Sequence, residues 1–293
     1  MAVPKLSGTF FVLGAAVLWG TTGTSQALAP SGATSAEIGA LRLALGGLAL
    51  LAYAAARGSL GGLRGLPRLP LLGAAICMAA YQLLFFGGVA RTGVAVGTIV
   101  GIGSAPVWGG LLGYFFAGER PGRPWQIATL LAVVGAGLLA SAGGSQLKVD
   151  LLGLLLAAGA GGAYAAFTLF NKKLIDNRRP ESVQAAIFSL SAVFLLPLLA
   201  GADLGWVARP AGTLVVLHLG LVTVGLAYSL FALGLQRIPI SSAGTLTLAE
   251  PMTAGVLGVL VLGEHLTLQA SLGILLIFSG LAVLALAPLA KKT

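Results

Sequence analysis

Apolar runs of about 20 residues recur ten times along this 293-residue chain, and each is long enough to cross a hydrocarbon core about 30 Å thick at 1.5 Å per helical residue. Boundaries placed at charged, Pro or Gly clusters give spans of roughly 6–29, 36–56, 69–90, 95–117, 125–142, 151–172, 182–200, 213–236, 242–263 and 268–290. The connections are short and leave no stretch for a soluble domain. Any chemistry is therefore expected within the membrane or at its surface. Composition agrees with this: 57% of residues are hydrophobic and only 9% charged, with a mean hydropathy of +0.99, whereas soluble domains carry about a quarter charged residues. The first run, after the early Lys5, has Leu18-Trp19-Gly20 where a leader would need a small-residue cleavage site. It reads as a retained span.

The positive charges are not scattered. With the N-terminus inside, Lys5, Arg57, Arg64, Arg68, Arg120, Arg123, Lys172, Lys173, Arg178, Arg179, Arg237, Lys291 and Lys292 all fall on the cytoplasmic side. Only Arg91, Lys148 and Arg209 fall on the other, and Arg42 lies within the second span. An excess of cations in short loops marks the inside, so both termini are expected in the cytoplasm and the chain in the cytoplasmic (inner) membrane. The net charge of +9 then reflects topology and not a nucleic-acid-binding face, and no nucleic-acid partner is expected.

Shifting the sequence against itself by 145 positions brings Gly8, Gly14 and Trp19 onto Gly153, Gly159 and Tyr164. It also brings Pro106, Gly113, Gly118 and Glu119 onto Pro251, Gly258, Gly263 and Glu264, so each half carries P-x6-G-x4-G-E; Gly135 meets Gly280. With 44 glycines any one Gly match is weak, but the Pro and Gly-Glu matches at one offset are not. Five spans per half is an odd number, so the second half must enter the membrane upside down. The expected fold is all-α and integral to the membrane: ten transmembrane helices as two inverted five-helix repeats, 1–145 and 146–293, around a central cavity. Such halves can exchange conformations and open one central site to either side in turn.

The paired P-x6-G-x4-G-E segments, Gln126 and Gln269 opening the fifth and tenth spans, and Arg42 early in the second together resemble the EamA-type branch of the drug/metabolite transporter superfamily. Within it the chain looks most like the YddG-type amino-acid exporters. The resemblance implies ten helices around a cavity and export of aromatic and other neutral amino acids; another small metabolite or drug is the alternative within the superfamily.

Several residues are candidates for that work. Pro106 and Pro251 lie mid-span, where each removes an amide donor and clashes with the preceding turn, acting either as static kinks or as a paired hinge. Gly97-x3-Gly101 and Gly109-x3-Gly113 permit close helix approach. Glu250 lies about eight residues into the ninth span, near the midplane, where an ionisable group is costly and suggests a proton carrier or a ligand for an ammonium group; protonated or paired, it would serve packing alone. Thr247 lies one turn earlier on the same face. Arg42, about six residues into the second span, is either an anchor that snorkels to the outer surface or a ligand for a substrate carboxylate. Trp19, Tyr81, Trp108 and Tyr164 fall mid-span and could line an apolar pocket or simply pack between helices, whereas Trp125 and Trp206, near span ends, read as interface-belt residues. His218 reads as an interhelical histidine before a proton relay.

An enzyme would need converging acids, histidines or a metal set. Glu250 alone is deeply placed among the acids, His218 and His265 are far apart, Cys77 is the only cysteine, and no nucleotide-binding motif is present. No catalytic residue, metal or cofactor is expected; the expected partners are a small-molecule substrate and the lipid bilayer, with the chain working as a monomer. A channel remains the alternative from another class, and acceleration of efflux by substrate on the far side separates a carrier from it.

Overall fold

The computed structural model describes residues 3–92, 94–118, 121–141, 151–176, 178–262 and 268–286. Glu119, Arg120, Lys148, Gly263, Glu264, His265, Lys291 and Lys292, singled out above, lie outside these. Every regular element among the described residues is helical: α1 (Val3–Ala27), α2 (Ser35–Ala56), α3 (Arg68–Thr92), α4 (Val94–Ala117), α5 (Arg123–Ser141), α6 (Leu151–Ile175), α7 (Pro180–Leu195), α8 (Pro210–Leu217), α9 (Ala227–Leu235), α10 (Ile240–Leu246), α11 (Ala249–Leu262) and α12 (Leu268–Leu286). Among the described residues, five stretches are long and apolar enough to cross a membrane: Ala36–Ala56, Arg68–Phe85, Leu151–Ile175, Pro180–Leu199 and Pro210–Leu235.

Local sequence explains several boundaries. Thr34 and Glu37 form a reciprocal capping box that starts α2, and Pro180 opens α7, where its missing N–H is not needed. Arg123–Ser141 and Leu268–Leu286 differ by 145 positions at both ends. Packing follows the same shift: α1 lies against α9 and α11 as α6 lies against α3 and α4, while α2 pairs with α7 and α5 with α12.

Two stretches depart from straight spans. His218–Leu226, joining α8 to α9, is π-helical. The ninth span, expected as one helix, is divided at Thr247–Leu248 between α10 and α11. Pro251 lies four residues after Thr247, the carbonyl its ring would strike in a continuous helix. Pro106 has no such effect, since α4 runs through it unbroken; the two prolines are therefore not equivalent in this conformation.

The core joins Val12, Trp19, Leu43, Phe167, Phe188, Tyr228 and Phe231. Lipid offers as good an apolar environment as Leu, so helices associate here through close backbone packing at small residues. A Cβ on Gly88 would lie 2.9 Å from the Ala157 backbone nitrogen, and one on Gly47 would lie 3.1 Å from that of Ser189. Gly88→Val should therefore cost about 1–3 kcal/mol and lower the yield of monodisperse protein. Gly23→Ala, with nothing within 4 Å of the added carbon, should not. Equal yields from both variants would contradict this account of the α3–α6 contact.

Several cations share one end of the bundle through backbone carbonyls. Lys172 Nζ donates to Leu235 O at 3.2 Å and also to Ile238 O, Arg179 Nη1 donates to Arg57 O at 3.2 Å, and Arg237 stacks over Phe11. Arg209 instead donates to Ser31 O, in the α1–α2 connection. Trp206, read from sequence as a belt residue, is buried, with its indole N–H on Glu37 Oε2 at 3.2 Å and its ring against Ile38, Val215 and Leu219. Trp125 is likewise interhelical, donating to Ser241 O at 3.0 Å. Proximity to a span end sets depth but not which way a ring turns, and both rings turn inward toward backbone or carboxylate acceptors.

Candidate functional site

The break between α10 and α11 puts polar groups where lipid-facing helix could not. Thr247 ends the first helix: its hydroxyl donates to Gly244 O at 2.8 Å, and its carbonyl accepts the Glu250 N–H at 2.9 Å. Glu250 then stands in the first turn of α11, where the free N–H groups of the helix end favour negative charge. Irregular backbone at this depth is tolerated where it is covered by protein or lines a cavity.

It lines one here. A small cavity is bounded by Tyr81 of α3, Gly101, Ile102 and Ala105 of α4, Tyr164 of α6, and Thr247 and Glu250 at the break. Tyr164 sits 5.6 Å from Tyr81 and 6.1 Å from Trp19, centroid to centroid, the latter pair edge to face. Tyr81 stacks on Phe85 at 5.7 Å. A Cβ on Gly161 would lie 2.6 Å from Gly101 O, so glycines let α4 and α6 close the floor. The Tyr164 hydroxyl is buried without a hydrogen-bond partner.

Four of the residues named from sequence thus meet in one pocket: Tyr81, Tyr164, Thr247 and Glu250. Trp19 is buried just behind Tyr164 and contacts Tyr228 at 4.7 Å and Phe231 at 5.3 Å. Trp108 does not line the pocket; it is 40% exposed, alongside Gly162 of α6. Pro251 is half-buried one residue beyond Glu250 and sets its position through the break. Gly101, Ile102 and Ala105 were not singled out as pocket residues. The available signal was the small residue Gly101 five positions before Pro106, which packing alone also explains.

Arg42 does not reach the surface as a snorkelling anchor would. Only 8% exposed, it turns inward and donates from Nη2 to the Thr223 hydroxyl at 3.4 Å, with Glu250, Tyr81 and Tyr228 as electrostatic neighbours. His218 is interhelical as expected, with Nε2 2.8 Å from the Thr21 hydroxyl. Among the described residues no three His, Cys, Asp or Glu side chains gather as a metal centre would require. What the site offers is one carboxyl and one guanidinium near a small, aromatic-walled space.

Comparison with known proteins places this arrangement. The EamA-like transporter family matches the chain twice, over residues 6–141 and 151–286. The chain is 45% identical over 285 residues to a Bacillus subtilis (strain 168) protein named "Uncharacterized transporter YwfM", covering 97% of this chain and 96% of that one. It is 32% identical over 240 residues to the threonine/homoserine exporter RhtA of Escherichia coli (strain K12), covering 78% of this chain and 74% of RhtA. A solved crystal structure shares the fold with a TM-score of 0.84 at 20% identity, covering 94% of this chain and 96% of its own. With the family matching both halves, the chain belongs to the EamA-like transporter family and is a multi-pass membrane transporter.

Proposed function

We propose that this chain exports small neutral amino acids across the cytoplasmic (inner) membrane by alternating access. It does so as ten transmembrane helices in two inverted repeats, 1–145 and 146–293, with both termini in the cytoplasm. The observation that carries the reading is the pocket itself: a carboxyl at Glu250 for an ammonium group, with aromatic and aliphatic walls for a side chain. The similarity to a threonine/homoserine exporter supports the same class. Aromatic amino acids, the substrates of the YddG-type branch, belong in the same panel, since Tyr81 and Tyr164 offer ring faces.

Reconstituted protein loaded with labelled threonine, leucine or phenylalanine should release label faster when unlabelled amino acid is added outside. Release that no amino acid accelerates would refute amino-acid exchange. Rapid release indifferent to the opposite side would favour a channel.

A further inference from the structure

We propose that Thr223, set in the π-helical segment, is a positioning residue that presents Arg42 as the ligand for the carboxylate of the transported amino acid. The inference rests on the amino-acid reading above and assigns the other end of the zwitterion.

The local geometry starts with the backbone. In a continuous α-helix the Thr223 carbonyl would accept the N–H four residues on, that of Ala227. The π segment closes differently: the Ala227 N–H is shared between Val222 O, five residues back, and Val224 O. The Thr223 carbonyl instead accepts the indole N–H of Trp19 at 2.9 Å. Segments of this type mark functional positions in helices because they free backbone groups for tertiary contacts. Here the freed carbonyl ties α1 of the first half to the eighth span.

The Thr223 side chain is fully buried, and its hydroxyl proton is committed to Leu219 O at 2.7 Å. Toward Arg42 that oxygen can only accept, and it accepts from Nη2 at 3.4 Å. Arg42 Nε is buried with no hydrogen-bond partner, so one donor of the guanidinium's side-on edge is unused while Nη2 beside it is held by Thr223. A carboxylate matches such an edge in a side-on, bidentate pair.

A buried guanidinium with an unpaired donor is costly for a purely structural residue. For a ligand that is vacated in each transport cycle, the unpaired donor is the functional feature. Arg42 stands outside the pocket's lining, but its charge is felt by Glu250 and Tyr81, which belong to that lining, and by Tyr228, which packs on Trp19. Glu250 and Arg42 then divide the zwitterion, ammonium to one and carboxylate to the other.

The test compares equilibrium binding of L-threonine, L-threonine amide and 1-amino-2-propanol to purified protein by calorimetry, which requires no turnover. Wild type should bind the acid roughly ten- to a hundred-fold better than the amide or the amine, the worth of one charge-assisted pair. In Arg42→Gln that preference should vanish, the acid binding no better than the amide. Arg42→Lys should recover part of it. Thr223→Val should reduce the preference and Thr223→Ser restore it, because serine keeps the accepting hydroxyl. If Arg42→Gln and Thr223→Val weaken acid and amide equally, or only lower the melting temperature, Arg42 is a packing residue and the proposal fails while amino-acid transport stands. If wild type binds none of the three and exchanges no amino acid, the proposed function falls and this inference falls with it.

Discussion

Replacing Glu250 by glutamine should reduce amino-acid exchange by on the order of thirty-fold or more while leaving the amount of folded protein unchanged. The number follows from removing one member of a desolvated charge pair, about 2–5 kcal/mol. Glutamine preserves size and hydrogen bonding but not charge, so an ammonium group entering the pocket beside Tyr81 and Tyr164 would meet no counter-ion. Arg42, an electrostatic neighbour of the same carboxyl, would then repel the cationic end of the substrate. Glu250→Asp keeps the charge on a shorter stem and should retain part of the rate. Exchange rates measured at matched reconstitution decide the matter, and a well-folded Glu250→Gln protein with wild-type exchange would remove Glu250 from the site.

Pro251→Ala should slow exchange far more than Pro106→Ala. The ring of Pro251 is incompatible with a helical bond to Thr247 O, and that carbonyl accepts the Glu250 N–H at 2.9 Å instead. Alanine would supply the missing donor and favour one continuous helix from Ile240 to Leu262. Proline costs about 3 kcal/mol in a helix interior, and if 1–2 kcal/mol of the relief opposes bending, turnover falls roughly five- to thirty-fold. α4 is already continuous through Pro106, so its substitution changes less in this conformation. Initial exchange rates at equal protein per vesicle test the difference. Wild-type rates in Pro251→Ala would reduce the proline to a static kink.

The helices were largely legible because apolar length and charge placement act locally along the chain. The second span, expected at 36–56, is observed as Ser35–Ala56, and the tenth begins at the expected Leu268. Tyr81, Tyr164, Thr247 and Glu250, named from their positions within the spans, line one pocket. Rotation about the helix axis was not legible. Arg42 and Trp206 were placed at plausible depths, yet both turn inward because their partners, Thr223 and Glu37, come from distant sequence. Trp108, named from the middle of its span, lies outside the pocket's lining. The π segment left no local signature, since the freed Thr223 carbonyl finds its donor in Trp19, 204 positions away.

The central claim is a single pocket that opens to each side of the membrane in turn, and a cysteine within it tests this most directly. Ile102 lines the cavity and is not assigned a charged or hinge role. Ile102→Cys in a Cys77→Ser background should react with an impermeant thiol reagent applied from either side of the membrane. Saturating substrate should protect it from both. Reaction from one side only under all conditions, or reaction from both sides with no protection by any transported amino acid, would contradict alternating access at this site.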